Sequence, residues 1–101
     1  MTTRKFHRAR IYWSSEQVRR GLPAISRTVD PAQFVGVRSG TEDAWSLVCE
    51  FDVSPALQGT PSSARVQFYV EEAPHDRLGP GVTLCLFERG TQRNATVEIL
   101  D

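Results

Sequence analysis

From Trp45 to Val53 the chain alternates strictly, with Trp45, Leu47, Cys49, Phe51 and Val53 on one face and Ser46, Val48, Glu50 and Asp52 on the other. A period of two is what an extended strand produces, because successive side chains leave a pleated backbone on opposite sides. A helix cannot gather five apolar side chains at that spacing onto one stripe. The run predicts a half-buried strand over 45–53, and the rest of the chain has to be compatible with a sheet.

The same period recurs elsewhere. Ala9, Ile11 and Trp13 alternate with Arg8, Arg10 and Tyr12, which gives a first strand with an apolar inner row and a basic, aromatic outer row. Gln33 to Arg38 is a short second candidate. Val66, Phe68 and Val70 alternate with Arg65, Gln67, Tyr69 and Glu71 to give a fourth. Val82, Leu84 and Leu86 form a fifth, whose opposite row of Cys85 and Phe87 indicates cover on both faces. Ala95, Val97 and Ile99, alternating with Thr96 and Glu98, make the last.

Turn formers separate these runs: Gly21 to Pro23, Asp30-Pro31, Ser39-Gly40, Pro55 to Pro61, Pro74, Gly79 to Gly81 and Arg89-Gly90. On this reading proline stays out of every strand interior, as the need for ladder N–H donors requires. Ser15 to Arg20 has Ser14 or Ser15 at hand as an N-cap but is read as a loop. Short strands without regular β-helix-β alternation favour a small antiparallel barrel or a sandwich.

With 101 residues the chain is expected to form a single domain, 1–101, with one modest core and no room for a deep, walled active-site cleft. No apolar run approaches the ~20 residues needed to span a bilayer, and the polar N-terminus lacks an export signal, so a cytoplasmic protein without membrane contact is expected. Cys49 and Cys85 then remain free thiols. His7 and His75 stand alone, and neither lies at ligand spacing from a cysteine, so no metal site and no cofactor is expected. Neither G-x-x-x-x-G-K-[ST] nor G-x-G-x-x-G occurs, which argues against a bound nucleotide.

Charge is balanced overall at 12 basic and 12 acidic residues, but not along the chain. Residues 1–38 hold eight basic groups against two acidic ones, a balance of +6. Such an asymmetry can mark a polyanion-binding face. If the first and last strands are neighbours in a closed sheet, the two signs pair instead, and pairing is the favoured reading. Arg8, Arg10 and Tyr12, with Arg19 and Arg20 in the following loop, offer a stripe of guanidinium groups and an aromatic ring to a phosphate backbone. The plainer reading of the same residues is a solvated edge strand guarded by charge.

The order of these motifs resembles the C-terminal β-barrel domain of the elongation factor Tu family of translational GTPases, as a stand-alone domain. That family's first strand runs roughly F-x-A-x-V-Y-x-L, matched by His7-Arg8-Ala9-Arg10-Ile11-Tyr12-Trp13, and Pro31-Ala32-Gln33-Phe34 is similar to its P-x-F. Its closing hairpin, an apolar strand, R-E-G-G-R and a final I-L, is similar to Leu84 through Arg93 followed by Ala95-Thr96-Val97-Glu98-Ile99-Leu100. The chain departs from the family in offering Gln92-Arg93-Asn94-Ala95 where T-V-G-x-G is usual, and Arg19-Arg20-Gly21 where Gly-Gly-Arg is usual.

The resemblance implies a six-stranded antiparallel β-barrel, all-β, and a surface that meets the T stem of aminoacyl-tRNA and a nucleotide-exchange factor. Matched by motif, the tRNA-facing positions are Glu88, Gly90 and Arg20, with Arg19 and Arg89 as charged neighbours. The expected function is a non-catalytic binding module that contacts a protein partner, with RNA binding through the arginine-rich surface as the alternative. A third reading is a small enzyme using Cys85 or His75.

Overall fold

The alternation at the N-terminus becomes strand β1, His7–Trp13, with Ala9, Ile11 and Trp13 buried and Arg8, Arg10 and Tyr12 turned outward. The computed structural model describes residues 5–35, 44–88 and 92–101, and for Glu88 the backbone alone. After β1 come helix α1 (Ser15–Arg20) and strands β2 (Arg27–Phe34) and β3 (Trp45–Glu50). Helix α2 (Pro55–Gln58), strand β4 (Ser62–Phe68), a 3-10 turn (His75–Arg77) and strands β5 (Thr83–Glu88) and β6 (Gln92–Ile99) complete the chain. The strands close into an antiparallel barrel in the order β1-β4-β3-β2-β5-β6, with β6 returning to β1.

The interior is the inward row of every strand. Ile11, Leu47, Val66, Phe68, Leu84, Leu86, Val97 and Ile99 are almost completely removed from water, and together they form one contiguous cluster. Closing the sheet buries one face of each strand and leaves the opposite face to solvent, which is why a period of two runs through so much of the chain. Two outward residues are also covered. Val48 lies between Val29 of β2 and Gln67 of β4 in the register, and Cys85 is buried as well, as the double apolar row of β5 predicts.

Several expectations need correcting. Ser15–Arg20 is helical and not a loop: Ser14 Oγ accepts from Gln17 N–H at 3.1 Å, and Gly21 ends the helix at φ 107°. A six-residue helix does not hold itself together in isolation. Here its first turn is tied to β6 by the Ser14 N–H donating to the Asn94 carbonyl and by Gln92 Nε2 donating to Glu16 Oε2 at 3.0 Å. The third strand stops at Glu50, so Val53 leaves the row and is about half exposed. The fourth runs over Ser62–Phe68, which places Val70 beyond its end.

The second strand is Arg27–Phe34, so Asp30-Pro31 is not a turn and Pro31 does sit inside a strand. Of the expected Gln33–Arg38 segment, residues 36–38 lie outside the described residues. Hydrogen-bond parity explains the proline. In an antiparallel ladder, alternate residues bond to alternate neighbours. Ser26 C=O accepts from Phe51 N–H, so even residues of β2 bond to β3, and Val35 N–H donates to Thr83 C=O, so odd ones face β5. The missing donor of Pro31 therefore falls on the β5 side, where the pairing begins only at Ala32.

Candidate binding surface

Position 10 of β1 stands directly across from Glu98 of β6, and β1 lies between β4 and β6, so it is not an edge strand; closure of the barrel has removed that edge. The outward arginines consequently meet carboxylates. Arg8 Nε lies 2.9 Å from Asp101 Oδ2, and the Arg8 backbone N–H donates to Oδ1 at 2.8 Å. Those two hydrogen bonds, side chain first, hold the Asp101 carboxyl below its ordinary range. Arg10 Nη1 is 3.8 Å from Glu98 Oε1, to which the Tyr12 hydroxyl also donates at 3.3 Å. Further round the barrel, Arg65 pairs with Asp52 at 2.9 Å and Arg27 with Glu50 at 3.9 Å.

Exposed pairs of this kind contribute only about 0–1 kcal/mol each to stability. Their consequence is electrostatic: Arg8, Arg10 and Arg27, from the first part of the chain, are matched by Asp101, Glu98 and Glu50 from the later part. Arg8, Arg10 and Arg65 share a shallow groove of about 520 Å³ with Glu50, Asp52 and Gln58. Arg65 was not nominated by sequence, although its place on the outward row of β4 was the signal that could have found it.

Tyr12, Arg19 and Arg20 do not line this groove. Arg19 and Arg20 lie in the last turn of α1, where Arg20 Nη2 donates to Gln17 Oε1 at 3.1 Å. Arg19 makes no ion pair among the described residues. Glu88 ends β5, and Arg89 and Gly90 lie outside the described residues.

Cys49, Cys85 and His75 pack against their neighbours in the fold. Cys49 is fully buried and desolvation pushes its thiol up to about 12. The adjacent Thr28 hydroxyl eases that rise, but its geometry falls short of a hydrogen bond and its Oγ1 is left without a partner. Cys85 is buried. His75 Nε2 lies 2.8 Å from the Val70 carbonyl, and the ring stands edge-on to Phe68 with centroids 5.8 Å apart. Among the described residues no group of three His, Cys, Asp or Glu side chains is placed to hold a metal ion, and no helix is long and apolar enough to cross a membrane.

A second concavity, which the sequence did not reveal, lies at the α1 end of the barrel. It has a volume of about 360 Å³ and is lined by Trp13, Gln17, Pro23, Ile25, Arg27–Asp30 and Asn94. No protein-family model, curated protein or solved structure matches the chain.

Proposed function

We propose that this chain is a non-catalytic binding module that contacts a protein partner through the barrel exterior. The observation that carries the reading is the strand-by-strand neutralisation of the arginine row. Arg8 and Arg10 already face Asp101 and Glu98. A phosphate backbone would have to displace those carboxylates, whereas a protein surface with its own mixed charges can exchange partners with them. The closed six-stranded antiparallel barrel is compatible with the elongation factor Tu C-terminal domain, and the β1 and β5–β6 motifs support a relation to it. In that family a protein contact, with the nucleotide-exchange factor, is part of the domain's role.

RNA binding is the second reading. It is favoured by Arg19 and Arg93, both exposed and without an ion pair among the described residues, and it extends to Arg8, Arg10, Arg20 and Arg89. The two readings separate in one experiment, in which the purified chain is used as bait in extract with and without nuclease. A catch that survives nuclease supports the protein reading. If nuclease abolishes it and affinity falls roughly 50-fold between 50 and 200 mM salt, as neutralising about four phosphates of a single strand requires, RNA is the ligand.

A further inference from the structure

β3 leaves β4 early. The two strands pair from Leu47 and Phe68 as far as Glu50 and Arg65, whereas β4 stays paired with β1 as far as Ser62. Where β3 is missing, one side chain stands in for it. Gln58 of α2 accepts from the Ser63 N–H through Oε1 at 2.8 Å, and its Nε2 donates to the Ser63 carbonyl at 3.0 Å and to the Val53 carbonyl at 2.6 Å. This divergence opens the groove of about 520 Å³ that Arg8, Arg10 and Arg65 share with Glu50 and Asp52. The strand residues that line it have their register partners among the described residues: Arg10 is flanked by Glu98 and Ser63, and Arg65 by Arg8 and Glu50.

The order β1-β4-β3 sorts the charges of the groove. Arg8 and Arg10 of β1 stand along one side, Glu50 of β3 and the following Asp52 along the other, and Arg65 of β4 between them. Three of the five are held by short hydrogen bonds, Arg8 to Asp101 and Arg65 to Asp52, both at 2.9 Å. The other two are held loosely. Arg10 lies 3.8 Å from Glu98 and Glu50 lies 3.9 Å from Arg27, distances beyond hydrogen-bond reach, and Glu98 keeps the Tyr12 hydroxyl as a donor in any case. A ligand can therefore engage one guanidinium and one carboxylate, on opposite sides of the groove, without breaking a hydrogen bond. Two inter-strand spacings and an offset of two residues put their Cα atoms about 12 Å apart, close to four residues of extended chain. A row of phosphates would satisfy Arg10 but set negative charge against Glu50 and Asp52, whereas a protein segment can carry both signs. Beside the acidic side, Val53 is half exposed and Leu57 of α2 is exposed, which gives an apolar side chain somewhere to rest.

We infer that this groove binds an extended segment of a partner protein that carries both charges, its acidic residue on Arg10, its basic residue on Glu50 and an apolar residue against Val53 and Leu57. The inference rests on the protein-partner reading above and assigns it a place and a chemistry.

The test uses the full chain and a phage-displayed library of random dodecapeptides, from which an enriched sequence is synthesised with blocked ends. Enriched peptides carry an acidic and a basic residue about four positions apart, and bound peptide shifts the NMR signals of the Arg10 guanidinium. Arg10→Gln and Glu50→Gln each weaken binding about tenfold. Exposed pairs this long contribute little to stability, so both variants fold. Arg10→Glu rejects the original peptide and binds one whose acidic residue is replaced by lysine, a rescue that a merely structural role for Arg10 would not produce.

The inference is overturned if no sequence is enriched, or if both glutamine variants bind as tightly as the native chain. It is also overturned if a single-stranded RNA oligonucleotide occupies the groove and Glu50→Gln strengthens it, the opposite sign to that expected for a segment of mixed charge. Self-association of the chain that Arg10→Gln disperses would make a second copy the occupant, and would overturn it too. A nuclease-resistant protein catch that both variants leave intact overturns this site and keeps the protein-partner reading, whereas a catch abolished by nuclease overturns that reading and this site with it.

Discussion

Arg8 grips Asp101 with two of its own groups, the backbone N–H on Oδ1 at 2.8 Å and the guanidinium Nε on Oδ2 at 2.9 Å. His7 Nδ1 sits 2.9 Å from the Asp101 carbonyl oxygen, and Leu100 N–H donates to the Arg8 carbonyl. The residues after β6 are thereby laid against the start of β1, which extends the seam that closes the barrel.

That grip has a pH signature. The Asp101 carboxyl is lowered from its ordinary value of 3.8 by Arg8. A carboxylate with a depressed folded pKa contributes stability that is present above the ordinary value and lost as pH falls through the lower, folded one. NMR titration of the Asp101 carboxyl should place its midpoint below 3.8, and Arg8→Ala should return it toward that value. A midpoint unchanged by Arg8→Ala would show that the contact does not persist in solution.

Cys49 predicts the opposite limb of the profile. Its thiol titrates at about 12 in the fold against an ordinary 9.0, so the unfolded chain gives up its proton first. Stability is therefore unaffected below that ordinary value and falls as pH rises from there toward the folded one. Cys49→Ala, compared with the native chain by urea titration across alkaline pH, should lack this part of the decline. At pH 8 a disulfide reagent should label neither Cys49 nor the buried Cys85 until the chain unfolds, and rapid labelling of either in the native state would contradict the packing described.

A buried hydrogen-bond relay pins the end of β1. Trp13 Nε1 donates to Ser62 Oγ at 3.0 Å, and Ser62 Oγ donates in turn to the Gly59 carbonyl at 2.6 Å. Ser62→Ala strands the indole N–H where water does not reach, and should cost about 1–3 kcal/mol by chemical denaturation. The tryptophan fluorescence of the folded variant should change as well, whereas a purely conformational effect would leave it alone.

Packing predictions separate the inner from the outer row. Phe68 is 1% exposed and meets the Phe34 ring edge-on at 5.9 Å, so Phe68→Ala should cost about 3–5 kcal/mol. Leu57, on α2, is 81% exposed, and Leu57→Ala should stay within about 0.5 kcal/mol. Equal losses at both positions would mean that α2 packs differently in solution.

Much of the barrel is legible in the residues because burial on one face of a strand writes itself as alternation, and Ile11, Leu47, Val66, Leu84 and Val97 all fall where the pattern places them. β2 is the weakest part of that reading. Its even residues Thr28 and Asp30 are polar at the open end of the barrel, so no apolar row announces them, and Pro31 imitates a turn. α1 was missed for a related reason: its Ser14 cap is visible, but its attachment to Asn94 and Glu16's contact with Gln92 join residues far apart in the chain.

The candidate surface divides along the same line. That Arg8, Arg10 and Tyr12 share an outward row follows from their spacing in an extended strand. Which carboxylates they meet depends on β6 lying beside β1, and strand order is a global property that no local run of side chains encodes. The burial of Asn94, whose Oδ1 is left without a hydrogen-bond partner, depends on a bulge of one residue. One-dimensional periodicity thus determines which side chains face inward. The closure of the sheet alone decides which of the outward ones become neighbours, because those pairings, such as Arg10 with Glu98, are set by the relative positions of strands at opposite ends of the chain.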